Sequence, residues 1–127
     1  IPVFGVCLGL QGIVEYFGGR VEELPYPCHG HASLLTVSQP SLLWKSLPRQ
    51  FQVGRYHSLY AAVLPDCLQV SAISEDGVAM AVEHREMPMA AVQFHPESIL
   101  TAGNENGLQV LKNVLNYLAA ASHAAAR

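Results

Sequence analysis

Cys7 lies in the run Gly5-Val6-Cys7-Leu8-Gly9, and His95 and Glu97 bracket a proline in His95-Pro96-Glu97. A thiol nucleophile needs a base to take its proton, and the base needs a group that orients it. Cysteine, histidine and glutamate supply those three parts for acyl transfer. Gly-x-Cys-x-Gly is the thiol counterpart of a nucleophile elbow, a sharp strand-to-helix turn that holds the nucleophile out. A helix N-terminus behind the sulfur favours an anion, so the thiolate is expected to form easily. The Leu8 amide N–H is expected to point to where an oxyanion would develop. Pro96 pushes His95 towards an extended conformation, in which residues two apart share a side. The Glu97 carboxylate is then expected to accept from one imidazole nitrogen, leaving the other for Cys7.

The remaining candidates are weaker. A cysteine after a strand is also a common inert core residue, and His-Pro-Glu is also ordinary turn chemistry. Cys28-His29 could form a second dyad, but neighbours on an extended loop point apart. His29 and His31 could bind a metal, yet no third ligand is evident. Cys67 reads as a buried residue, His84 as a surface histidine on a strand, and His123 as part of the tail.

The elements that must position these groups are read from periodicity. Val3 to Val6 is expected to be a strand. Leu10, Ile13, Val14 and Phe17 recur at helical spacing, so a helix is expected over 9–17, ended by Gly18-Gly19. Gly12 inside it is explained if the helix packs closely on a sheet. Arg20 to Glu23 reads as a short strand and Pro25, Pro27 and Gly30 as an irregular loop. Ser33 to Val37 reads as a strand, and Pro40 to Ser46 as one or two helical turns. Phe51–Arg55 and Leu59–Val63 read as two strands around Tyr56-His57-Ser58. Leu68–Ser74 and Val78–His84 bracket Glu75-Asp76-Gly77, a hairpin signal. Met89 to Phe94 is a continuous apolar strand. A final helix is expected to bury Leu108, Leu111, Val114, Leu115 and Leu118, with Asn104 or Asn106 as its cap and an Ala-rich end that frays from Ala119.

A strand–helix opening, hairpins in the middle and a strand–helix close define an α/β sheet with an antiparallel hairpin region. Ligands in such sheets bind beyond the carboxyl ends of the parallel strands. Cys7 and His95 both follow such ends and can meet in space.

Composition sets the bounds. The 127 residues are half hydrophobic and sparsely charged, as in one well-buried globular domain. The net charge of −3 with no basic cluster argues against nucleic acid as a partner. No apolar run approaches membrane-spanning length, and no signal peptide is evident. Three cysteines without metal spacing suit a reduced, cytoplasmic compartment. There is no initial Met, and residue 1 already reads as part of a core strand. Residues 1–127 are therefore expected to be the C-terminal part of a single larger domain whose N-terminal strands are missing.

Three segments carry a family resemblance. Gly5-Val6-Cys7-Leu8-Gly9-Leu10-Gln11, Arg55-Tyr56-His57-Ser58-Leu59 and Gln93-Phe94-His95-Pro96-Glu97-Ser98 resemble, in order, the signatures of class I (triad-type) glutamine amidotransferases. The Arg-Tyr-His-Ser-Leu element is similar to the chorismate-using branch. The run from Leu10 to Gly19 is similar to the glutaminase part of fused anthranilate synthases. The resemblance implies an open sheet flanked by helices. It implies hydrolysis of glutamine and delivery of ammonia to a chorismate-binding synthase subunit or fused domain, a lyase of tryptophan biosynthesis. It implies Cys7 as nucleophile through a glutamyl thioester, His95 as base and then acid, and Glu97 as its orienting group. Leu8 would give an oxyanion N–H. Gln11 and the backbone at Ser58 and Leu59 would hold the substrate. No cofactor is implied in this domain, with magnesium expected only in the partner synthase.

Two departures stand beside these implications. The family's other oxyanion glycine lies in an upstream Pro-Gly-rich loop that this sequence does not contain, so the isolated 127 residues are expected to be impaired. Gly30-His31 replaces the family's frequent Gly-Lys, which is expected to alter contacts with the synthase. The alternatives are an aminodeoxychorismate or phenazine-pathway glutaminase, a cysteine peptidase or hydrolase on the same scaffold, and a non-catalytic binding fragment.

Overall fold

A four-residue apolar strand can be buried on both faces only if something covers each side, and the chain supplies one helix for each. The computed structural model describes residues 2–98 and 105–125, the last four of these as backbone only. Strand β1 (Val3–Val6) is followed by helix α1 (Leu8–Tyr16), then β2 (Arg20–Val37), a single 3₁₀ turn (Leu42–Trp44), β3 (Gln50–Val63), β4 (Leu68–Ser74), β5 (Ala79–His84), β6 (Met89–Val92) and helix α2 (Asn106–Ala125). The six strands form one mixed sheet in the order β1-β6-β5-β4-β2-β3. The β1–β6 pair is parallel, in register from Val3↔Met89 to Val6↔Val92, and the other pairs are antiparallel. The expected α/β class with an antiparallel hairpin region is the observed one.

Alternation along β6 shows how both faces are used. Ala90 and Val92 join one core, with Val110 and Val114 of α2 and with Leu43, Trp44 and Phe94. Ala91 joins the other, with Leu10, Ile13 and Val14 of α1. A strand buried on both faces reads as a continuous apolar run, as β6 does. Gly18, at φ 93°, ends the turn after α1 in a conformation that costs a glycine little.

Several local expectations are corrected. Gly12 does not pack on the sheet: a Cβ there would meet nothing within 4 Å. The segment containing Pro25, Pro27 and Gly30 is not a loop between two strands but part of the 18-residue β2. Prolines cannot donate to a ladder, so the chain stays extended and bulges: the register with β3 jumps between Glu23 and Cys28 and again between His29 and His31. Residues 50–63 form one strand, not two. Ser58 faces the bulge and lies outside the paired register.

The last helix is rotated from the expected stripe. Val114 is buried and Leu118 packs against the core as expected, and Val110 and Asn113 are buried beside them, whereas Leu108, Leu111 and Leu115 are 51%, 38% and 66% exposed. Asn113 fixes this rotation. Its Nδ2 donates to the carbonyls of Leu43 and Lys45, each at 2.8 Å, satisfying the end of the 3₁₀ turn. A buried polar residue that completes another element's hydrogen bonds is invisible to a hydrophobic stripe. Asn106 is the first helical residue and not a cap, and Asn104 lies outside the described residues. The helix continues through the Ala-rich stretch to Ala125.

Candidate active site

The turn from β1 into α1 is made by Cys7 itself, at φ 55° and ψ −97°. A non-glycine residue at positive φ is held there only when its surroundings over-determine it. Here the Cys7 N–H donates to the Val92 carbonyl of β6 at 2.8 Å, and its carbonyl accepts from Leu10 at 3.1 Å and Gln11 at 3.3 Å. Gly5 is needed because the turn folds α1 back onto it. A Cβ on Gly5 would lie 2.8 Å from the Gly9 carbonyl carbon.

His95 follows the parallel neighbour, β6. Its backbone N–H donates to Gly54 at 3.2 Å, and the Ser98 N–H donates to the His95 carbonyl at 3.1 Å. Residues 95–98 are therefore a closed turn, with proline in its second position. The expected contact between His95 and Glu97 is present, but the turn makes it and not an extended segment. Nδ1 lies 3.2 Å from both Glu97 carboxylate oxygens. The imidazole also meets the Tyr56 ring edge to face, with centroids 5.5 Å apart. With Nδ1 committed to Glu97, Nε2 is the nitrogen that can serve the thiol.

These groups open on one cavity of about 460 Å³, lined by Cys7, Leu8, Gln11, Ser58, Leu59 and His95 among others. Six of the seven residues expected at the site thus share one space, and the seventh, Glu97, is reached through His95. Cys28 is buried and His29 lines the cavity, so the two do not form a dyad. Among the described residues no cluster of His, Cys, Asp or Glu could hold a metal ion.

Electrostatics at the sulfur differ from expectation. Burial pushes the Cys7 thiol up from its ordinary value. The Leu8 N–H and the Gln93 amide, both facing the sulfur, pull it back, and the Glu97 charge pushes it up again. Desolvation outweighs the helix terminus, so the group waits as a thiol and needs a base.

Two further residues belong to the site although their types and spacing gave them no role. Gln93, fully buried, places Nε2 3.5 Å from Cys7 Sγ and Oε1 3.4 Å from Gln11 Nε2. Its place at the end of an apolar strand was the available signal, because a glutamine there must find partners. His57, also buried, places Nδ1 2.8 Å from the Leu59 carbonyl and receives a hydrogen bond from Arg55 Nε at 3.0 Å. Arg55 is paired with Asp76 at 2.9 Å, and Asp76 also accepts from Ser74 and Tyr26. Burial pulls the His57 pKa below its ordinary value; the bond to Leu59 opposes this, and the Arg55 charge reinforces it.

Similarity to known proteins agrees with this geometry. The family model for glutamine amidotransferase class-I matches residues 1–117. An anthranilate synthase of Azospirillum brasilense is 55% identical over 122 residues, covering 94% of this chain and 16% of that protein. An anthranilate synthase component 2 of the same organism is 47% identical, covering 91% of this chain and 58% of that protein. The chain therefore spans only part of the curated relatives it matches. Among solved structures, one assigned as a GMP synthase component of Thermoplasma acidophilum superposes with a TM-score of 0.88 at 26% identity, over 99% of this chain and 61% of that one. With a nucleophile elbow and a His–Glu turn on adjacent parallel strands, and a family match across nearly its whole length, the chain belongs to the class I glutamine amidotransferases.

Proposed function

We propose that this chain hydrolyses glutamine through Cys7, His95 and Glu97 and passes the ammonia to a chorismate-converting synthase, the reaction of anthranilate formation in tryptophan biosynthesis. The observation that carries the reading is the single cavity onto which the Cys7 elbow, His95 and the substrate-side residues Gln11, Ser58 and Leu59 all open. The likeness to anthranilate synthase proteins supports the choice of acceptor. Three unpaired cysteines are consistent with a reducing cytoplasm.

The chemistry follows from the positions. His95 takes the Cys7 proton as Sγ bonds to the side-chain amide carbon of glutamine. The carbonyl oxygen becomes an oxyanion beside the Leu8 N–H. The carbon–nitrogen bond then breaks, His95 returns the proton to the leaving nitrogen, and ammonia departs from a glutamyl thioester. Water attacks the thioester, with His95 taking its proton, and glutamate leaves as the thiolate is reprotonated. Glu97 holds the ring through Nδ1 and stabilises the imidazolium formed at each stage. Ser58, outside the β2–β3 register and on the wall of the same cavity, would offer its backbone to the amino-acid end of the substrate.

The test is glutamine- and ammonia-dependent anthranilate formation in the full-length protein with its synthase. Cys7→Ser should abolish the glutamine-dependent rate and leave the ammonia-dependent rate. Glutamine turnover by that variant, or no turnover by the wild type, would refute the reading.

A further inference from the structure

We infer that the Gln93 amide is a donor to the Cys7 thiolate, and that its polarity is imposed by the Leu59 carbonyl acting through Gln11. The inference rests on Cys7 being the nucleophile.

The Leu59 carbonyl can only accept, so the amide 3.2 Å from it must be the nitrogen end of Gln11. That same nitrogen lies 3.4 Å from the Gln93 side chain. Nitrogen facing nitrogen would set two donors against each other, so Gln93 turns its oxygen to Gln11. Its own nitrogen is then left facing Cys7 Sγ at 3.5 Å, an ordinary distance for a donor on sulfur. One carbonyl on β3 thereby decides which end of an amide on the far side of the site meets the sulfur. The reverse polarity would place an oxygen lone pair against the thiolate.

Burial makes the arrangement binding. Gln93 is fully buried and does not line the cavity, so water is not at hand to satisfy its amide if flipped. The Gln93 backbone is pinned, its N–H donating to the Met80 carbonyl at 2.8 Å. His57 Nδ1 also donates to the Leu59 carbonyl, at 2.8 Å. The thiolate forms when His95 takes the proton, and forms again as the leaving group when water opens the thioester. A fixed donor favours both events.

The experiment is the pH dependence of iodoacetamide alkylation at Cys7, followed by peptide mass mapping in the full-length protein, for wild type, Gln93→Met and Gln11→Met. The titratable groups around the sulfur are His29 on β2, Tyr56 and His57 on β3, and His95 and Glu97 after β6, and both substitutions leave all of them in place. Gln93→Met should move the profile to higher pH and slow alkylation at neutral pH by about tenfold, the scale of one hydrogen bond to a charged group. Gln11→Met should move it the same way by less. A Gln93→Met profile that coincides with wild type while thermal stability falls would reduce Gln93 to a packing role and overturn the inference. A wild-type Gln11→Met profile would overturn the relay from Leu59. Alkylation needs no glutamine turnover, so a shifted profile in a protein that fails to hydrolyse glutamine would uphold the donor and refute the glutaminase reading alone.

Discussion

His57 donates its Nδ1 hydrogen to the Leu59 carbonyl at 2.8 Å. The tautomer is not in doubt, because Arg55, always protonated, donates to the other ring nitrogen at 3.0 Å. A neutral imidazole thus couples a buried arginine to the backbone that lines the cavity. His57→Ala should raise the glutamine KM by about fivefold, the scale of one neutral hydrogen bond, with a smaller effect on kcat. His57→Asn, whose amide can reproduce the Nδ1 donor, should recover part of the loss. Steady-state kinetics on the full-length protein separate the two parameters. A fall in kcat at unchanged KM would show that His57 does not act through substrate binding.

The same network predicts acid sensitivity. The folded state holds His57 below its ordinary value of 6.5, so the unfolded chain binds the extra proton first. Stability contributed by neutral His57 is complete above 6.5 and is lost as pH falls below it. Burial raises the Asp76 carboxyl, but hydrogen bonds from Ser74, Tyr26 and Arg55 more than offset this and hold it well below its ordinary 3.8. Its contribution is present above 3.8 and is lost on further acidification. Thermal unfolding should therefore show a decline in Tm beginning near pH 6.5 and steepening below pH 4. Replacing His57 should remove the first phase and leave the second.

Glu97 touches His95 through two equal contacts of 3.2 Å, and its side chain is more than half exposed. In the proposed mechanism its part is to orient the ring and balance its charge. Glu97→Ala should lower glutamine hydrolysis by about 10²-fold, at the lower end of general-base effects. Glu97→Gln should lose less, because an amide oxygen still accepts from Nδ1. Equal losses in the two variants would mean that the charge matters and the alignment does not.

How much of this was legible in the sequence follows from which forces are local. The elbow was readable because strand, turn and helix are contiguous and Gly-x-Cys-x-Gly has few alternatives. The Glu75-Asp76-Gly77 hairpin was readable for the same reason. The long β2 was not, because two prolines imitate a loop when they only interrupt a ladder whose other strand lies far along the chain. The buried face of α2 was readable only in part, at Val114 and Leu118: Asn113 meets carbonyls of residues 43 and 45, and no periodicity reports that. At the site, the residue types singled out Cys7, His95 and Glu97, and the fold opens Cys7 and His95 on one cavity with Glu97 against His95. Gln93 and His57 depend on cross-strand partners that only the fold supplies, and the thiol's upward shift depends on burial that composition cannot localise.

The two glycines that flank Cys7 should respond to the same substitution with opposite signs. At Gly5 an added Cβ meets the Gly9 backbone at 2.8 Å, and backbone cannot move aside as a flexible side chain could. Relief would require α1 to lift off β1, carrying the Leu8 N–H away from the sulfur. Gly5→Ala should cost about 1–3 kcal/mol, as for other overpacked sites, and should abolish glutamine turnover. At Gly9, inside α1, an added Cβ meets nothing within 4 Å. Gly9→Ala should gain up to about 1 kcal/mol from reduced backbone entropy in the unfolded chain and better helix propensity. Gly12→Ala, equally open, should gain as much. Denaturant unfolding of the three variants checks the signs. A stable, active Gly5→Ala protein would show that the elbow does not depend on the close approach of α1 to β1, and that the backbone hydrogen bonds of Cys7 to Val92, Leu10 and Gln11 suffice to hold its strained conformation.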